Sequence, residues 1–120
     1  MTLDRRKELK LQYKQNPPPM GVYQIRNNIN GKIWVASSMN LHGSSNSYHY
    51  KLATTGAHRV KELRDDWERY GPDAFVFEVL ETVNPDEFPQ ADWRAALALL
   101  EEIWLEKLQP YGDKGYNRPK

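Results

Sequence analysis

Apolar and polar positions along the 120-residue chain change their period several times, and each change predicts an element. From Gly21 to Arg26 and again from Lys32 to Ser37, β-branched and aromatic residues recur (Val22, Tyr23, Ile25; Ile33, Trp34, Val35), and the segment between them ends in Asn30-Gly31. Two such runs joined through Asn-Gly predict a hairpin, because these residues tolerate the positive φ of tight hairpin turns. Between His58 and Tyr70, Val60, Leu63, Trp67 and Tyr70 fall three or four residues apart, which predicts a helix with one buried face ended by Gly71-Pro72. Phe75, Phe77 and Val79 alternate with Val76, Glu78 and Leu80, the period of a third strand over residues 75–81. After the loop 83–90, Asp92 is placed to cap a helix running to about residue 108, with Trp93, Ala96, Leu97, Leu100, Ile103, Trp104 and Leu108 on its apolar face.

The remaining segments are less regular. Residues 38–56 are rich in Ser, Asn, Thr and His, offer only Leu41, Tyr48, Tyr50 and Leu52 for packing, and predict a short irregular helix over 46–54. Residues 3–15 contain good helix formers without Gly or Pro, which predicts a basic helix. Asn16 and Pro17, Pro18 and Pro19 then end it as a stiff linker. The division expected is therefore a basic helix and linker over 1–19 and one domain over 20–120.

A chain of 14.1 kDa supports one hydrophobic core, and its 39% apolar and 12% aromatic content exceeds what a disordered chain carries. No stretch approaches the roughly 20 apolar residues of a membrane span, and the N-terminus has no apolar signal region, so a cytoplasmic protein is expected. The absence of Cys excludes disulfides, cysteine zinc sites and thiol nucleophiles. The net charge of +1 is low for a strong nonspecific nucleic-acid binder, but it is unevenly spread. Arg5, Arg6, Lys7, Lys10 and Lys14 crowd residues 4–14, whereas Asp86, Glu87, Asp92, Glu101, Glu102 and Glu106 dominate residues 86–106.

Three motifs stand in one order: Gly21-Val22-Tyr23 followed after ten residues by Trp34-Val35-Ala36-Ser37-Ser38, then DW and YGPDAFVFEVLE ending at Glu81, then LLEEIWLEKLQP and GYN ending at Asn117. In this order the chain resembles the GIY-YIG endonucleases, in particular homing-endonuclease-like members, over about residues 20–118. The resemblance implies an α+β domain with a three-stranded antiparallel sheet flanked by helices, to which the basic N-terminal helix would be an addition. It also implies hydrolysis of nucleic-acid phosphodiesters, DNA above all, with one divalent metal ion, Mg²⁺ or Mn²⁺.

Carried over residue by residue, the resemblance puts Tyr23 on the tyrosine that helps activate the attacking water, Glu101 on the metal-binding glutamate, and Asn117 on the asparagine that helps hold the site together. Three positions depart from the pattern. Trp34 stands on the second motif tyrosine, and an indole can donate a hydrogen bond but cannot accept a proton. Ala36 replaces the motif glycine, where a methyl group would crowd the backbone. The family's arginine falls on Ser44 or Ser47, neither of which supplies a cation; His49, Lys51 and Arg59 are the nearby substitutes. With Arg5, Arg6 and Lys10 they form the candidate nucleic-acid contacts.

Plainer roles compete with these. Tyr23 also suits a strand packing position, Glu101 a solvated helix face, and Asn117 a turn. His42, His49 and His58 show no metal-binding spacing such as HExxH, and Trp67, Trp93 and Trp104 suit core packing better than base stacking. Two functions therefore stand at this level. One is an active metal-dependent endonuclease, and the other is a degenerate nuclease fold kept as a nucleic-acid-binding or protein-interaction module.

Overall fold

The computed structural model describes residues 19–119, so the basic helix expected over 3–15 lies outside the described residues. Strands β1 (Met20–Asn27) and β2 (Ile33–Ser38) form the expected hairpin, paired from Gly21 opposite Ser38 to Arg26 opposite Ile33. The turn closes through the Gly31 N–H donating to the Asn27 carbonyl at 2.8 Å and the Asn27 N–H to the Lys32 carbonyl at 2.9 Å, and Gly31 takes the positive φ of +78° that its sequence position predicts. Strand β3 (Phe75–Val83) runs antiparallel on the other side of β1, giving the order β2-β1-β3. Because β1 is central, Met20, Val22, Ile25 and Asn27 are buried along it.

Alternation along the strands sorts residues between two faces. Ile25, Trp34, Ala36 and Phe75 pack with Tyr48, Leu52, Leu63 and Tyr116 in the core beneath the first two helices. Val22 and Val35 belong to the opposite face, which is covered by the last helix through its contacts with β1 and β2.

Helix α1 begins at Leu41, five residues before the predicted start, as Leu41–Ser47, a π-helical turn Tyr48–Leu52, and a last turn Ala53–Thr55. Its early start follows from Asn40, whose side-chain oxygen accepts from the Gly43 N–H at 2.9 Å and satisfies one of the free donors of the first turn. Leu41, Tyr48 and Leu52 are buried, whereas Tyr50 is 78% exposed and takes no place in the core.

Helix α2 (Lys61–Tyr70) starts three residues later than periodicity suggests, because the His58 Nδ1 accepts from the Val60 N–H and Val60 is extended. Two 3₁₀ turns, Pro85–Glu87 and Gln90–Asp92, fill the connection from β3 to the last helix. Asp92 precedes α3 (Trp93–Leu108) but makes no capping bond. Entry to this helix is tied instead by the Trp93 Nε1–H, which donates to the Pro85 and Phe88 carbonyls at 3.1 Å each.

The stripe read on α3 is only partly covered. Leu97 is buried, but Ile103 is 44% exposed, since it lines an open groove between α3 and the end of β3. The tail then returns beside β2: the Tyr116 N–H donates to the Ile33 carbonyl at 2.8 Å, and Gly115 bridges Ile33 in parallel. No described helix is long and apolar enough to cross a membrane.

Candidate active site

Tyr23 is aimed by an irregularity of the sheet. The β1–β3 register jumps from Val22 opposite Glu81 to Tyr23 opposite Val79, leaving Leu80 unpaired in a bulge, a device that bends a strand and redirects the neighbouring side chain. The phenol stacks on Phe77 with ring centroids 4.7 Å apart and meets the edge of Trp34 at 5.9 Å. Its ring lines one cleft with Ser44 of α1. Burial raises its pKa, opposed by Ser44 and by the Arg59 charge and reinforced by Glu101. Tyr23 is thus a neutral hydroxyl at physiological pH, equipped to donate and orient.

Hydroxyls continue from there to the end of β2. Ser44 Oγ donates to Ser38 Oγ at 2.7 Å, and Ser38 Oγ accepts from the Asn40 N–H at 3.0 Å. One residue back, the Ser37 N–H donates to Glu101 Oε1 at 3.0 Å, holding the glutamate of α3 against the β2 edge. Tyr23 and Glu101 therefore approach the end of β2 from opposite faces of the sheet. They lie in separate depressions: Glu101 with Ser37, Ser38 and Arg94 in one of about 170 Å³, and Tyr23 in a cleft of about 270 Å³.

That larger cleft also brings together Trp34, Ser44, Ser47, Lys51 and Arg59. Of the candidate substitutes for a missing arginine, Lys51 and Arg59 line it. His49 does not; its ring lies 5.0 Å from that of Tyr48, in a separate depression with Phe75 and Phe77. Arg5, Arg6 and Lys10 lie outside the described residues. Ala36 buries its methyl group in the core opposite Tyr23 and lines neither depression, so the crowding expected of it falls inside the fold.

Asn117 acts on β2 itself. Its Oδ1 accepts from the Val35 N–H and its Nδ2 donates to the Val35 carbonyl, both at 2.8 Å, so one amide side chain pairs the outer edge of β2 as a neighbouring strand would. This holds the backbone between Trp34 and Ala36 in register with Tyr23.

Trp34 is a shared surface in place of a reactive group. Its indole is 7% exposed, meets the edge of His58 at 4.5 Å and carries the Arg59 guanidinium 5.3 Å from its centroid. Burial, then Arg59 and Arg64, lower the pKa of His58 from 6.5 to about 4, so its ring is neutral. His58 lacks metal-binding spacing in the sequence, and a lone histidine in a Gly-Ala-His-Arg loop has no spacing that points to Trp34, 24 positions away. Among the other tryptophans, Trp67 packs on the core with its indole N–H buried and without a partner among the described residues, and Trp104 donates to Glu81 at 3.0 Å.

The donor set around Glu101 suits a hard cation. Oε1 is occupied by Ser37, Oε2 takes no hydrogen bond from the described residues, and the same depression is lined by the hydroxyls of Ser37 and Ser38 and by the cation of Arg94. Among the described residues no three acidic or histidine side chains gather into a complete cage, so a cation here would keep most of its waters.

No protein-family model matches the sequence, and no curated protein does. Among solved structures, the catalytic domain of homing endonuclease I-TevI superposes with a TM-score of 0.64 at 24% identity, covering 84% of this chain and 99% of that one. A mutant of the catalytic domain of intron endonuclease I-TevI gives a TM-score of 0.63 at 23% identity, covering 82% and 92%. The bulge-aimed tyrosine, the helix glutamate and the clamped edge strand thus sit on an α+β fold that is the fold of a GIY-YIG homing-endonuclease catalytic domain.

Proposed function

We propose that the chain is a divalent-metal-dependent endonuclease acting on nucleic-acid phosphodiesters, with DNA as the first substrate to consider. The observation that carries this reading is the placement of Glu101, held by the Ser37 N–H at the end of β2 and near enough to Tyr23 across the sheet to bear on its pKa, in a fold shared with an endonuclease catalytic domain. Glu101 would hold Mg²⁺ or Mn²⁺ through Oε2, and when bound that ion supplies Lewis-acid stabilisation of charge on phosphoryl and leaving oxygens. Tyr23, kept protonated by burial, orients the attacking water or donates to a phosphate oxygen. Ser44 lines the cleft beside the phenol, Asn117 fixes β2, and Lys51 and Arg59 offer positive charge at the cleft.

A second reading, a degenerate nuclease fold that binds without cutting, draws on Trp34, a buried indole where the resemblance expects a tyrosine. Cleavage of single- and double-stranded DNA and RNA with Mg²⁺ or Mn²⁺, with Glu101→Ala beside the parent, separates the two. Metal-dependent products from the parent, reduced on the order of 100-fold or more in Glu101→Ala with its circular dichroism unchanged, are expected. Equal cleavage by both proteins rules out the role of Glu101. No cleavage by either, with the fold intact, selects the binding module.

A further inference from the structure

The connection Gly56–Val60 between α1 and α2 delivers two side chains onto one indole. His58 is pinned at its base, where Nδ1 accepts from the Val60 N–H at 3.0 Å, and its ring meets Trp34 at 86°, edge to face. The next residue, Arg59, lays its guanidinium over the same tryptophan at the cleft that holds Tyr23. Among the described residues the ion pairs are Arg26 with Glu78 and Lys61 with Asp65, so Arg59 has no carboxylate partner there. It lines the cleft with Tyr23, and its charge opposes the rise in that phenol's pKa.

We propose that Trp34 and Arg59 form one phosphate-binding unit, in which Arg59 contacts the phosphate under attack and Trp34 is the positioning residue that holds the guanidinium beside Tyr23. This rests on the nuclease reading and adds the source of the cation that Ser44 and Ser47 cannot supply. A guanidinium presents a planar fork that matches two phosphate oxygens, and stacking on a buried ring preorganises it. Cation–π attraction at an exposed position is weak, so the indole contributes orientation more than affinity. The tryptophan that cannot act as a base thereby has a different task, as a shelf. Lys51, a compact charge on a flexible stem with no aromatic support, is the general phosphate contact.

The test uses Arg59→Met, Arg59→Lys, Trp34→Phe and the double variant Arg59→Met/Trp34→Phe in the full chain. Two readouts are needed: single-turnover cleavage of a fluorescein-labelled duplex with Mg²⁺, and affinity for that duplex over a KCl series. Arg59 is exposed, so its replacement leaves the core intact. Arg59→Met is expected to slow cleavage by about 100- to 1000-fold and to reduce the salt slope by about one. Arg59→Lys should recover only a small part of the rate. Trp34→Phe should slow cleavage less, and the double variant should be no slower than Arg59→Met, because the ring acts through the guanidinium. Arg59→Met cleaving like the parent, or losses that multiply in the double variant, overturn the proposal. If the parent does not cleave at all, the nuclease reading fails separately. In that case the salt slope decides: a drop of about one in Arg59→Met sustains the phosphate contact, and an unchanged slope overturns it.

Discussion

The Tyr116 hydroxyl donates to Asp66 Oδ2 at 2.6 Å and accepts from the fully buried Asn27 Nδ2 at 3.2 Å, linking the C-terminal tail, α2 and β1 at one oxygen. Burial and the adjacent Asp66 raise the pKa of this phenol, so it stays a donor across the physiological range. Neither partner is legible in the sequence, where Tyr116 lies 50 positions from Asp66 and 89 from Asn27. His58 is similar, an undistinguished loop residue that the fold turns into a half-buried base. Its native pKa of about 4 lies below the ordinary 6.5, so between those values the unfolded chain binds a proton that the native protein does not. Stability from this group is therefore intact above pH 6.5 and declines as the pH falls toward 4. Urea midpoints are expected to drop over that interval more steeply for the parent than for His58→Asn, whose side-chain oxygen can still accept from Val60. Parallel pH profiles for the two proteins would mean that His58 contributes nothing to acid sensitivity.

Among elements, β2 depends most on residues distant in sequence. One side pairs with β1; the other is covered by the tail, through Gly115, Tyr116 and Asn117. Gly115 lies so close to its neighbours that a Cβ there would stand 2.5 Å from the Ile33 carbonyl oxygen and 2.4 Å from that of Pro110. Both obstacles are backbone and cannot swing aside. Gly115→Ala should therefore push the tail off β2 and lower the stability by about 1–3 kcal/mol, read as a fall in the thermal midpoint. An unchanged midpoint would show that the tail contributes little to the strand. The hairpin, β3, α2 and α3 were legible from periodicity, since each carries its own repeat of apolar residues. The early start of α1 was not, because it is set by an Asn40 side-chain cap in a polar segment and by three buried residues, Leu41, Tyr48 and Leu52, spaced across a π-helical turn.

At the scale of the whole molecule, the uneven charge noted in the sequence bears on binding. A cleft with Lys51 and Arg59 offers few phosphate contacts, and Arg5, Arg6 and Lys10 are the further candidates. Affinity for duplex DNA is expected to fall with added salt, and replacing those three residues by Gln should flatten the dependence by up to about three in slope, at roughly 0.9 per phosphate contact. Binding indifferent to both salt and substitution would point to a protein partner. The sequence by itself determined the α+β class, the hairpin with its Asn-Gly turn, the helical stripes and the order of motifs, because these depend on local conformational preference and on short-period burial. It also singled out Tyr23, Glu101 and Asn117. Only the tertiary structure decided what those residues touch: the bulge that aims Tyr23, the Ser37 amide that holds Glu101, the paired bonds from Asn117 to Val35, and the contacts of His58, edge to face, and of Arg59 with Trp34. Contacts of that kind join residues brought together by chain reversal and sheet pairing, and no spacing along the chain encodes which side chains then meet.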